Sequence, residues 1–430
     1  MLDPRLIRSE PERVRDELAK KGVEVDIDAL TGLEAERRTL IAETDELKRR
    51  RNEASESIAR MKQAGENAEQ AIADSRRLSE EVKAADARLA ELENRFEAEL
   101  IQLPNLPDPL APVGASEADN LVTEVWGESP EFGFEPLDHV DLCTRLGLVD
   151  FEAGSRLSGS GFILYTGSGA RLVRALVNFM LEHQTGVNGY REIWPPVVVR
   201  TPAMTGTGQL PKMAEDMYRI EAEDLWLIPT AEVPVTNIHR ESILSEEQLP
   251  LAYAAYSACF RREAGAHGAD TRGLIRIHQF DKVELVRFTT PETSEAEHTL
   301  LLGHARSILE ALGLHYRVVE LCTADLSFAA RRCFDLELWA PGSRRWLEVS
   351  SCSNFGDFQA RRAAIRYRRS EDGKVAFVHT LNASGVAVPR LFVALLETFQ
   401  TDEGSVIVPE PLRPFLGGLS LLSPDGHGAR

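Results

Sequence analysis

Residues 30–103 constrain the fold more than any other stretch of the chain. They are rich in Ala, Glu, Arg, Leu and Lys, contain few aromatics, and meet no proline until Pro104. Leu33, Leu40, Leu47, Ala54 and Met61 recur every seven residues, and Leu78, Val82, Ala85, Leu89, Leu92, Phe96 and Leu103 follow coiled-coil spacing. Between the two series lies KQAGENAEQ, polar and centred on Gly65, which reads as a helix–helix turn. The simplest structure is an antiparallel two-helix hairpin; at about 1.5 Å rise per residue, it would project on the order of 50 Å. Heptads alone also suit a dimerisation coil or a solvated helix pair. The run Lys48, Arg49, Arg50 and Arg51, with Arg60 and Lys62 towards the tip, adds a placement suited to RNA backbone.

Charge pulls the other way. The formal net charge is -19, and an acidic chain repels a polyanion at long range. A nucleic-acid partner would therefore be held by a local basic stripe and by shape, in a strongly salt-dependent way. The five cysteines are scattered, with no C-x-x-C pair, which argues against a disulfide framework or a structural zinc site. With no run of about 18 apolar residues and a charged N-terminus, the expected location is cytoplasmic.

Length and pattern predict two domains: residues 1–103 with the hairpin, a linker over 104–119 rich in Pro, Asn, Asp and Gly, and a second domain over 120–430. In the second domain short β-type runs (EIWPPVVV, LWLIPT, RWLEVSS) alternate with helix-like ones (ARLVRALVNFMLEH, PRLFVALLETFQ). The expected class is α+β around an antiparallel sheet.

Neither GxxxxGK[ST] nor GxGxxG occurs, so a nucleotide site here needs another phosphate-binding scheme. CFRREAGAHGADTRGLIRIHQFDKVELV, residues 259–286, supplies one. If CFRRE is a strand, its period of two puts Arg261 and Glu263 on one face; beyond a glycine-rich loop (264–273) the same period aligns Phe280, Lys282 and Glu284. Two such strands present a phosphate-binding guanidinium, an aromatic face and acidic groups able to accept from amines.

This block resembles motif 2 of class II aminoacyl-tRNA synthetases, and its wording is similar to that of bacterial-type seryl-tRNA synthetases. TGTGQLPK (205–212), PTAEVP (229–234), LEVSSCSNFGDFQARR (347–362) and LNASGVAVPRLFVALLE (381–397) follow the family's order. With the hairpin, the resemblance spans nearly the whole chain. It implies a serine–tRNA ligase that makes seryl-adenylate from serine and ATP and passes the seryl group to tRNA(Ser), and also to tRNA(Sec). It implies that Arg261 binds the α-phosphate and the serine carboxylate, and that Glu263 meets the adenine amino group. Phe280 would stack on adenine, while Arg390 of motif 3 would contact the γ-phosphate. Arg262, Val349 and Ser350 complete the implied ATP-binding set, and Glu348 and Ser351 would hold Mg2+. Thr230, Ala231, Glu232, Glu284 and Ser384 would bind serine, and Lys48, Arg49, Arg50, Arg51 and Arg60 the tRNA. A homodimer through the motif 1 region, residues 170–196, is also implied.

Three points are left for the structure to answer. Glu348 and Ser351 are three apart, so a regular strand would point them to opposite faces; a β-bulge or strand end is predicted between Val349 and Ser351. Pro389 suits the first turn of a buried helix carrying Arg390. The sequence also departs from common family wording at Arg262, Ala324, Arg332, Ala383 and Pro389, and Ala383, beside Ser384, bears most directly on the serine pocket.

Overall fold

The computed structural model describes residues 1–264 and 273–424; most of the glycine-rich loop of motif 2 and the last six residues lie outside the described residues. The chain divides into two compact units, Met1–Leu106 and Pro107–Arg430.

In the first unit two long helices dominate, α1 (Ile27–Gln63) and α2 (Glu69–Leu100). Asp26 starts α1, its carboxylate accepting from the Ala29 N–H at 2.9 Å. The helices are separated by a turn with Gly65 at φ 75°, a backbone conformation glycine adopts without strain. Ion pairs Lys48–Asp86 (2.8 Å) and Arg37–Glu93 (3.7 Å) link them with opposite sequence directions, so the pair is antiparallel. Leu40, Leu78, Val82, Ala85, Leu92, Phe96 and Leu100 are buried, whereas Leu33, Leu47, Ala54 and Met61 are half-buried. The heptad spacing thus marks the seam, and one helix alone cannot cover the other's stripe.

The second unit is α+β. Its main sheet has eight strands: β1 (Leu121–Trp126), β2 (Arg191–Ile193), β3 (Leu251–Phe260), β4 (Gln279–Thr289), β5 (Tyr316–Glu320), β6 (Arg332–Ala340), β7 (Arg345–Gly356) and β8 (His379–Ala387). Their spatial order is β1-β5-β6-β7-β8-β4-β3-β2, and every pairing is antiparallel except β2 with β3. Three helices pack on one face: α3 (Gly167–Gly186), α4 (Ser294–Ala311) and α5 (Val388–Thr398). Between helices and sheet lies a core that includes Leu172, Leu176, Val283, Leu285, Leu301, Ala383, Leu391 and Leu395. Strand alternation then leaves the residues between these core positions on the opposite face.

Candidate active site

That opposite face carries a cavity of about 530 Å³, lined by Thr230, Glu232, Arg261, Glu263, Lys282, Glu348, Ser351, Asn382 and Ser384 among others. A smaller lobe of about 160 Å³ shares Arg261, Glu263, Lys282, Glu348 and Ser384 with it and adds Phe280, Val349 and Arg390. The shared walls make this one continuous site with two ends.

The first end is built on β4 and β8. Val283 and Leu285 of β4 face the core, so Phe280, Lys282 and Glu284 face the cavity side. Glu284 pairs across the strands with Ser384 and is fully buried. Its carboxylate accepts from the Thr230 hydroxyl (3.0 Å) and the Asn382 amide (3.1 Å), and Lys282 forms an ion pair with it. A buried charge is tolerated only when so paired. Glu232 lies in the first turn of a short helix, Glu232–Thr236, where the fully buried Gln359 donates to it at 2.6 Å. Gln359 is itself held, accepting from Thr380 at 2.8 Å and donating to the Thr207 carbonyl at 3.1 Å. Burial, then the neighbouring Glu284 charge, pushes the Glu232 carboxyl up to about 7.

The second end is built on the motif 2 return strand and α5. Arg261 lies 5.3 Å over the Phe280 ring. Arg276 pairs with Glu263 at 2.6 Å. Pro389 occupies the first turn of α5, as its ring geometry favours, and the helix is buried nearly all round. Arg390, in the same turn, donates to the carbonyls of Glu348 (2.5 Å) and Ile275 (3.2 Å), with the Glu348 carboxylate 3.4 Å away.

Two local expectations need correction. The strand through CFRRE stops at Phe260: the Arg261 N–H donates to the His278 carbonyl at 2.9 Å, and Glu263 takes φ 50°. Arg261 and Glu263 still reach one cavity, but by an irregular turn rather than by strand alternation. The bulge in β7 is present one residue earlier than expected: Leu336 pairs with Ser350 and Glu337 with Glu348, leaving Val349 as the extra residue. That residue restores the parity that a three-residue separation breaks, and Glu348 and Ser351 face the same cavity.

Not every residue of the expected sets comes to the walls. Ala231 is wholly buried before the short helix, Arg262 is exposed, and Ser350 points to the core side, its hydroxyl donating to the Ser384 carbonyl at 2.5 Å. None of the three lines either lobe, and neither does Glu284, which lies fully buried behind the wall residues Thr230, Lys282 and Asn382. Ala383 is wholly buried in the core between the cavity-facing Asn382 and Ser384, so its methyl points away from the pocket. Arg332 pairs with Glu320 at 2.7 Å and Glu295 at 3.2 Å. Conversely, Asn382, Gln359 and Arg276 hold the site's charges but stood out in no pattern. Each becomes visible only when strands distant in sequence are paired.

In the hairpin Lys48 pairs with Asp86, and Arg49 with both Glu46 and Glu53 at 2.6 Å. Arg51 donates to Asn52 at 3.1 Å; Arg50 and Arg60 are exposed. Among the described residues there is no group of three or more His, Cys, Asp or Glu placed to hold a metal, and no helix long and apolar enough to cross a membrane.

Comparison with known proteins places these features together. Residues 1–107 match the model of the seryl-tRNA synthetase N-terminal domain, and residues 217–399 that of the tRNA synthetase class II core domain (G, H, P, S and T). The chain is 51% identical to a serine–tRNA ligase of Syntrophotalea carbinolica, over 98% of this chain and 100% of that one. It is 50% identical to the serine–tRNA ligase of Geobacter sulfurreducens, over 97% and 99%. Among solved structures, seryl-tRNA synthetase from Pyrococcus horikoshii complexed with ATP superposes with a TM-score of 0.91 at 35% identity, covering 99% of this chain and 100% of that one. The cytoplasmic serine–tRNA ligase of Naegleria fowleri in complex with AMP gives 0.86 at 29% identity, covering 98% and 99%.

Proposed function

The chain belongs to the seryl-tRNA synthetase family, and from that premise we propose how its residues carry out serine–tRNA ligation. It is a class II aminoacyl-tRNA synthetase that uses ATP and serine. The serine carboxylate attacks the α-phosphorus of ATP in line and pyrophosphate leaves; the 3′-terminal adenosine hydroxyl of tRNA(Ser) then attacks the seryl-adenylate carbonyl, giving up its proton as the acyl–phosphate bond breaks and AMP leaves.

The observation that carries the assignment of residues is the pair of buried carboxylates, Glu232 on the cavity wall and Glu284 behind the wall residues Thr230, Lys282 and Asn382, with Phe280 and Arg390 lining the adjoining lobe and Arg261 common to both. Glu232 accepts from the serine ammonium and Glu284 from its hydroxyl, with Thr230 and Ser384 shaping a pocket of that size. Alanine is rejected because it offers the buried Glu284 carboxylate no hydroxyl to accept from. Arg261 meets the carboxylate and the α-phosphate, with Lys282 a second cation alongside. Adenine lies against Phe280, its amino group on Glu263, and Arg390 neutralises the γ-phosphate. No protein nucleophile is needed; positioning and charge neutralisation supply the rate.

Glu348 and Ser351 fit Mg2+. Both donors are hard oxygens on one wall, and two protein ligands suit an ion that takes its remaining oxygens from phosphates and water. When bound, the ion offsets phosphate charge. Asp335, directly across the ladder from Ser351, is held well above the usual carboxylate range by burial and by Glu348.

The hairpin binds tRNA through its exposed cations, in the cytoplasm, with tRNA(Sec) a further substrate. Val187 and Trp194, 72% and 79% exposed beside the edge strand β2, are the apolar surface through which two copies would pair. Serine-dependent ATP–pyrophosphate exchange tests the whole reading: exchange with serine and not with alanine is expected, and exchange with neither would overturn it.

A further inference from the structure

His139 and Glu397 lie outside the site described above, yet both are almost wholly buried, at 4% and 0% exposure. Glu397 is on α5, about two helical turns beyond Arg390. Its carboxylate is fully engaged: Oε1 accepts from the His139 N–H (2.9 Å), His139 Nδ1 (3.0 Å) and the Ser343 hydroxyl (2.6 Å), and Oε2 from the Ser343 N–H (2.8 Å). The far nitrogen of the ring, Nε2, accepts from the main-chain N–H of Leu274 at 3.3 Å. A peptide N–H can only donate, so Nε2 is the lone-pair nitrogen and Nδ1 carries the hydrogen to Glu397. The ring is thereby fixed in one tautomer and one orientation. Gly273, φ +80°, passes so close that a Cβ there would overlap the imidazole.

Leu274 opens the segment on which the nucleotide end of the site is built. Ile275, next along, accepts from Arg390 Nε, and Arg276 pairs with Glu263. His278 accepts at its carbonyl from the Arg261 N–H, and its Nδ1 lies 3.0 Å from the Arg261 carbonyl. The helix α5 thus grips this segment twice, directly through Arg390 and indirectly through Glu397 and His139. We propose that His139 and Glu397 are positioning residues for ATP: they fix the main chain at 274–276 so that Arg390, Arg276 and Glu263 meet the nucleotide in register. Among the described residues the carboxylate end of the cavity, built on β4, β8 and Thr230, has no hydrogen bond to this pair, and Glu232 and Glu284 are held by other groups. The proposal rests on ATP occupying the Phe280–Arg390 lobe.

The test compares His139→Leu, His139→Gln and Ser343→Ala with the wild-type chain by KM for ATP and for serine in pyrophosphate exchange, by calorimetric ATP affinity, and by thermal unfolding. Misplaced anchors predict a KM for ATP raised roughly 10- to 100-fold in His139→Leu, with the KM for serine within about twofold of wild type. His139→Gln, whose amide oxygen can accept from Leu274, should recover ATP to within about threefold of wild type, and Ser343→Ala should raise the KM for ATP alone by about threefold. Folded His139→Leu with ATP and serine affected equally, or with neither affected, overturns the proposal. Should His139→Leu not fold, an unchanged KM for ATP in Ser343→Ala overturns it, and a selective rise with recovery in His139→Gln supports it. Wild-type chain without serine-dependent exchange would sink the functional reading instead; the ATP affinities of the same variants would still decide the proposal.

Discussion

In the hairpin, Leu40 and Leu92 are buried while Leu33, Leu47 and Met61 stay half-buried; in α5, residues 391–397 are buried without a break. Charge is handled as differently. Arg49 and Glu46 pair at the hairpin surface, more than half exposed, whereas Glu284 has Thr230, Asn382 and Lys282 around a carboxylate that water does not reach. Exposed pairs contribute little and are screened by salt, while a buried charge that loses one partner leaves an uncompensated cost. The hairpin should therefore tolerate single changes and act through its outline and surface charge. The catalytic unit should not.

The sharpest break comes from function. Arg261→Ala is expected to lower serine-dependent pyrophosphate exchange by about 10³ or more, and near-normal exchange would remove Arg261 from its role. Excising residues 30–103 should do the reverse, sparing exchange while abolishing aminoacylation of tRNA(Ser). Exchange lost together with aminoacylation would show that the two units are not separable in this way.

Stability should divide along the same line. Leu396→Ala, at a site with no exposure, is expected to cost about 3–5 kcal/mol in urea unfolding, and Leu47→Ala, at the half-covered seam, about 1–2 kcal/mol. Equal costs would erase the contrast between a seam and a core.

Glu232→Gln tests the buried carboxylates, and its KM for serine should rise roughly 10- to 100-fold. Because burial and Glu284 raise the Glu232 carboxyl from its ordinary 4.5 to about 7, the folded chain binds this proton across that window while the unfolded chain has released it. The stabilising contribution of the protonated group is complete below pH 4.5 and is lost as pH rises through about 7. The wild-type KM for serine should fall over the upper part of that window as the carboxylate forms. Glu232→Gln should flatten both profiles, and a KM for serine independent of pH between 6 and 8 would count against the ammonium contact.

Smallest of all, Arg49→Ala should change unfolding free energy by less than about 0.5 kcal/mol, because its two pairs are exposed. Salt should nevertheless raise the KM for tRNA steeply and leave that for ATP almost unchanged. A comparable salt response for both substrates would argue against phosphate contacts on the hairpin.

Much of this contrast was legible beforehand. A seven-residue period needs only the chain's own neighbours, so the hairpin and its turn at Gly65 follow directly from the string of letters. The alternation of Phe280, Lys282 and Glu284, and the need for a bulge near Val349, are likewise properties of one strand. The path through Arg261 and Glu263 was not, because Phe260 ends the strand where the Arg261 N–H turns to His278. Nor was the exclusion of Ala231, Arg262, Glu284 and Ser350 from the walls, since a motif names neighbours in sequence and a cavity selects by face and depth.

The letters alone thus determined the α+β class, the helical hairpin, the absence of the common nucleotide-binding motifs and the family wording that points to serine and ATP. Tertiary structure decided which carboxylates are buried together, which groups hold them, and how Glu397 and His139 reach Leu274. The physical reason is range. Helical period and strand alternation are set by backbone geometry within a few residues, whereas the electrostatics of Glu232, the partners of Glu284 and the tautomer of His139 depend on groups brought together from distant parts of the chain.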